Sequence, residues 1–319
     1  MPAPKNASRN PLPDVGPAFL AFIEPARASP ALWRLSVGIL LVAATFVVAV
    51  IGLQQWIPAG FVALGLAAPV PDPFQTRPPT VLLLLAAFGG VWVGLALAVR
   101  LIHRRPMATL IGPKGARNPA GRHFVFGLLV AMGVSVPGAI ILFAFGSPVQ
   151  ARPVLVWALW LLPGLPLLFL QTASEELLFR GYIQQQLAVR FRSRWVWWFL
   201  PSLLFGALHF DAVTFGPNAW LVVAGTAIFG LIAADVTART GTIGAAVGLH
   251  FVNNVFAFCL VGIAGHLSGL SLFVLPISPA DSDALRPWLI ADVASLLVLY
   301  GLWLAVFRLN AGFGQARRP

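Results

Sequence analysis

The sequence predicts an all-α, polytopic integral membrane protein of about eight transmembrane helices, with both termini in the cytoplasm. Three observations carry this. Of the 319 residues, 59% are hydrophobic and only 10% are charged, whereas a soluble domain carries roughly a quarter charged residues. Mean hydropathy is +0.86. Apolar runs near the ~20 residues of one span recur along the chain, and basic residues gather in alternate connections between them.

Residues 1–31 are rich in Pro, Ala and Asn and hold no long apolar run. They read as a disordered cytoplasmic tail and not as a secretory signal, whose apolar core would lie near the start. Apolar segments follow at roughly 35–54, 80–102, 124–146, 153–186, 195–210, 219–237, 243–264 and 288–308. Residues 32–310 form one membrane-embedded domain, and 311–319 a cytoplasmic C-terminal tail. The fifth segment is short and the fourth too long. Pro163, Gly164 and Pro166 interrupt the fourth, which predicts a short outer helix at 153–162 and a long helix from about 166 to 190.

Alternating spans from a cytoplasmic N-terminus put 17 Lys and Arg inside and three outside (Arg77, Arg152 and Arg286), with Arg180 set aside. Reversing the topology inverts this bias, so both termini are expected inside. The excess of 21 basic over ten acidic residues therefore reports orientation, and no nucleic-acid partner is expected. A lone cysteine, Cys259, excludes a disulfide framework and a cysteine-based metal cluster. His103 and His123 flank a basic loop and read as solvated, Asp292 reads as an anchor of the last helix near the outer face, and Trp195, Trp197 and Trp198 read as an aromatic belt.

Acids within a membrane are costly and need a reason. Glu175 and Glu176 lie in TASEELLFRGYI, with Glu175 expected about 13 Å below the outer face. Glu176 and Arg180 are four apart and can pair on one helix face, leaving Glu175 free. His209 ends FGALH, about 21 Å in from the inner end of its span, and Phe205 shares its face. His250 and Asn254 in HFVNN share a third face. An apolar site raises a carboxyl's pKa, so Glu175 can serve as base and then acid. It would deprotonate a water held by His209, while His250 and Asn254 donate to the oxyanion. Two imidazoles and a carboxylate (Glu175, His209 and His250) also leave zinc open as a cofactor.

The motifs EE-xxx-R (Glu175, Glu176, Arg180), F-xxx-H (Phe205, His209) and H-xxx-N (His250, Asn254) occur in order on successive helices. This pattern resembles the CAAX protease and bacteriocin-processing family (CPBP, also called Abi), whose eukaryotic members are the type II CAAX prenyl endopeptidases. The resemblance implies an intramembrane endopeptidase that cleaves near the C-terminus of peptide or membrane-anchored substrates. It implies Glu175 and His209 as water activators, His250 and Asn254 as oxyanion donors, Glu176 and Arg180 as supporting residues, and a cavity open to the cytoplasm. Members are commonly labelled metalloproteases. The metal-free glutamate mechanism is favoured here because Asn is a poor zinc ligand. HExxH and GxGD motifs are absent from the sequence, which excludes the site-2 zinc and aspartyl types. The competing readings are a transporter, since buried acids mark ion paths, and a non-catalytic immunity or scaffold protein. The composition fits a bacterial inner membrane.

Overall fold

The computed structural model describes residues 15–64, 72, 74–113 and 119–315. The outer parts of both expected tails, with Lys5, Arg9, Arg317 and Arg318, and the stretch 114–118 with Lys114 and Arg117, lie outside the described residues.

Nine helices organise the described chain: α1 (Pro17–Ile23), α2 (Leu32–Ala63), α3 (Pro78–Ile102), α4 (Pro119–Gly146), α5 (Val154–Ala188), α6 (Trp195–Ala207), α7 (Ala219–Thr240), α8 (Gly244–Leu260) and α9 (Ser282–Gln315). Six are long and apolar enough to cross a membrane: α2, α3, α4, α5, α9, and α7 with a lead-in turn from Ala212. The remaining two expected spans, α6 and α8, are shorter apolar helices. At about 1.5 Å per residue, α6 extends only about 20 Å.

The long fourth segment does not break. Pro163 and Pro166 lie inside Val154–Glu176, which continues through Ala188. Each proline removes one amide donor but leaves φ compatible with a helix, and a membrane helix tolerates the freed carbonyls. The depth of Glu175 must accordingly be measured from another end. It lies about 32 Å from Val154 and about 20 Å from Ala188, close to the 21 Å between Trp195 and His209. Its level is mid-span on α3, because the neighbouring Ser174 Oγ donates to the carbonyl of Phe88 at 3.2 Å.

The expected tail is ordered from residue 15. Helix α1 and the turn Glu24–Ala28 bury Phe19, Phe22, Ile23 and Ala26. Phe19 packs against Trp197 in a tilted pair with ring centres 4.9 Å apart, and Gln185 Nε2 donates to the carbonyl of Phe22 at 3.1 Å. Of the expected aromatic belt, Trp195 faces outward, Trp197 is buried, and Trp198 Nε1 donates to the carbonyl of Leu231 at 3.0 Å.

A small sheet departs from the all-α expectation. Strands β1 (Val149–Gln150), β2 (Val261–Ile263) and β3 (Phe273–Leu275) run in the order β1-β3-β2. Pairing is antiparallel between β1 and β3 and parallel between β3 and β2. Arg152 fastens the same region by donating to the carbonyls of Ser268, Gly269 and Ser271.

Two histidines expected in solvent are packed inside. His103 is buried between Ser29 Oγ and Tyr182 Oη, each at 2.8 Å. His123 is partly buried against Thr242 Oγ1 at 2.8 Å. Asp292 sits ten residues into α9, not at its end. Asp235 pairs with Arg239 and also accepts from Tyr300 Oη at 2.7 Å, which ties α7 to α9.

Helices α4 and α8 approach closely, backbone to backbone, at Gly127, Gly244 and Gly248. A Cβ on Gly248 would overlap the carbonyl oxygen of Phe124, so glycine at this position sets how near the two backbones approach. That contact fixes the level of His250, two residues further along α8.

Candidate active site

Helix α5 supplies most of the site. Glu176 is fully buried. Its Oε1 accepts from Arg180 Nη1 at 3.0 Å and from His250 Nδ1 at 2.8 Å. The i, i+4 pairing read from the sequence is therefore real, but Glu176 has a second partner 74 residues away. Arg180 Nη2 donates to the carbonyl of Gly230 at 3.2 Å. Its guanidinium lies over the rings of Phe205, Phe179 and Phe229 at 4.9, 5.9 and 6.0 Å. A buried cation thus has one carboxylate, one carbonyl and three aromatic faces.

Donation from Nδ1 to Glu176 turns His250 Nε2 toward Glu175, whose Oε2 lies 3.5 Å away. The side chain of Glu175 is 14% exposed, and its Oε2 makes no hydrogen bond among the described residues. Phe229 and Phe205 pack on the His250 ring at 4.8 and 6.1 Å.

His209 is not inside a helix. It lies in the turn just past α6, partly buried. Its Nδ1 is 2.8 Å from the carbonyl of Phe205, one of the orphan acceptors that a helix C-terminus leaves. The carbonyl can only accept, so Nδ1 carries a proton and donates to it. The ring meets Phe205 edge-on at 4.9 Å. Two residues later, Asp211 Oδ1 accepts from Thr214 N at 3.0 Å and caps the next turn. Hydrogen bonds from Thr214 hold the Asp211 carboxyl below the usual carboxylate range.

Asn254 completes the set. Its Nδ2 donates to Gln171 Oε1 at 2.9 Å, and its Oδ1 accepts from Asn253 Nδ2 at 3.3 Å. Reasoning from the sequence missed Gln171 and Phe229. The available signal for Gln171 was its spacing: it lies four residues before Glu175, on the same helix face. Both α5 and α8 widen to i→i+5 turns at the site, over Leu177–Gln184, which holds Arg180, and over Val255–Leu260, directly after Asn254; α2, α3 and α6 carry such turns as well.

The structure thus joins Glu175, Glu176, Arg180, Phe205 and His250 by direct contact. His209 joins through the Phe205 ring, and Asn254 through Gln171 of α5. His250 Nδ1 is held by Glu176, which leaves Nε2 as the nitrogen on the Glu175 side, and no group of three His, Cys, Asp or Glu among the described residues is gathered to hold a metal.

Comparison with known proteins agrees with the motifs. Residues 155–256 match the family described as type II CAAX prenyl endopeptidase, Rce1-like. All three motifs fall inside this segment. An uncharacterized protein of Bacillus subtilis (strain 168), YyaK, is 30% identical over 175 residues, covering 54% of this chain. The chain spans about half the length of this curated relative, 56%. No solved structure matches.

Proposed function

We propose that this integral membrane protein is an intramembrane endopeptidase acting near the C-terminus of peptide or membrane-anchored substrates. The observation that carries the reading is the buried Glu175 Oε2, without a hydrogen bond among the described residues and held at mid-span 3.5 Å from the Nε2 of a histidine whose other nitrogen is pinned. The match over 155–256 supports the reaction class.

A water would bind between Glu175 and His209 Nε2. Glu175 takes one proton while the water oxygen attacks the peptide carbonyl carbon. The carbonyl π electrons move to oxygen, and the oxyanion is met by Asn254 Nδ2–H and by Nε2–H of doubly protonated His250. Glu175 then gives its proton to the amide nitrogen as the C–N bond breaks, releasing an acid and an amine. None of these steps uses a metal. With both termini on the cytoplasmic side of a bacterial inner membrane, the site would open toward the cytoplasm.

The test is mass spectrometry of membrane-protein C-termini in cells carrying the wild type or Glu175→Gln, paired with cleavage of the identified substrate by purified protein. Glu175→Gln and His209→Ala are each expected to lose at least about 100-fold in rate. Unchanged C-termini and unchanged cleavage would refute the reading.

A further inference from the structure

Gln171 and Asn254 are both buried, at 7% and 8% exposure, and face each other from α5 and α8 across 2.9 Å. An Asn carboxamide turns about a broad, nearly two-fold torsion. Left alone in a cavity, it would present its oxygen to a substrate about as readily as its nitrogen. Here both ends are taken. Asn253 donates to Oδ1, and Gln171 Oε1 accepts one of the two Nδ2 hydrogens. One N–H of Asn254 is left, in a defined direction.

We infer that Gln171 is a positioning residue that sets which end of Asn254 meets the substrate. This rests on the endopeptidase reading and deepens it. Were Asn254 turned over, its oxygen would face the developing oxyanion and raise the barrier it is proposed to lower. The same helix then aligns the whole reaction. Glu175 is the base, Glu176 orients His250, and Gln171, one turn earlier, orients Asn254. Base and both donors are keyed to a single rigid element, so motion of α8 cannot change the polarity of the donor pair without breaking a hydrogen bond to α5.

The experiment uses the purified full chain in liposomes. Its probes are internally quenched peptides with and without a farnesylated C-terminal cysteine. Gln171→Leu and Gln171→Met keep the side-chain bulk and remove the acceptor. Each is expected to lower kcat about 10- to 100-fold, the range typical of groups that orient a reacting residue, with KM within about twofold. In an Asn254→Ala background the same substitutions should change kcat less than about twofold, because nothing remains to be oriented. An unchanged kcat in the single variants, or an equal loss in both backgrounds, overturns the inference.

If wild type and Glu175→Gln are indistinguishable on every peptide, the endopeptidase reading fails on its own account. The Gln171–Asn254 link is then decided by thermal melting of the same proteins. Losses in Gln171→Leu and Asn254→Leu that overlap in the double variant support it, and strictly additive losses overturn it.

Discussion

The adjacent acids Glu175 and Glu176 both face His250 but differ in how they are held. Glu175 has no hydrogen-bonding partner for its Oε2, so Glu175→Gln should leave the melting temperature near that of the wild type and abolish cleavage. Glu176 is hydrogen-bonded to buried Arg180 and also holds His250. Glu176→Gln should therefore lose both. Removing one member of a buried pair costs about 3–5 kcal/mol, readable as a large fall in melting temperature. A Glu176→Gln protein as stable as the wild type would contradict the assigned pairing. The Glu176–Arg180 contact was legible from spacing alone, because four residues make one helical turn. The contact of Glu176 with His250 was not, since 74 residues and two intervening helices separate them.

At the scale of elements, two predictions concern how helices begin and meet. Asp72 accepts from the backbone of Thr76 and Arg77 and from the hydroxyls of Thr76 and Thr80, at the start of α3. Partial burial pushes its carboxyl up, but these bonds outweigh it and hold the pKa at about 2, below the ordinary 3.8. A lowered folded-state pKa stabilises above the unfolded value, and the gain fades as pH falls through about 4 toward 2. Asp72→Ala should cost about 1 kcal/mol at pH 7, as lost hydrogen bonds to a carboxylate do, and melting curves of the two proteins should converge near pH 2. Gly248→Ala pushes a methyl into the backbone of Phe124, which cannot yield as a side chain can. Overpacking of about 1–3 kcal/mol is expected, together with slower cleavage as His250 shifts away from α5. Melting and peptide assays on one preparation check both effects. The span positions were legible from hydropathy. The continuity of α5 was not, because a proline reads as a break wherever water would compete for the freed carbonyl, and here no water does.

At the scale of the whole molecule, the N-terminal segment is part of the core rather than an appendage. Phe19 and Phe22 are essentially unexposed, and Ser29 reaches His103. Phe22→Ala should cost about 3–5 kcal/mol, measured by thermal melting in detergent, whereas a true tail would show no change. The polar residues around it, His103, Tyr182, Gln185 and Gln186, form a buried hydrogen-bonded layer. Composition made residues 15–31 look like tail, because short apolar stretches that dock against other helices carry no span-length signal.

The sequence by itself determined that this is a membrane protein, roughly where its helices lie, and which seven residues carry the motifs. Hydropathy and helical spacing are local properties, and they survive in one dimension. Only the tertiary structure decided that His250 sits between two glutamates, that His209 caps α6 through Nδ1, and that Gln171 belongs with Asn254. Each is a contact between helices far apart in the chain. Such contacts depend on how closely the backbones approach, which glycines such as Gly248 permit but do not announce.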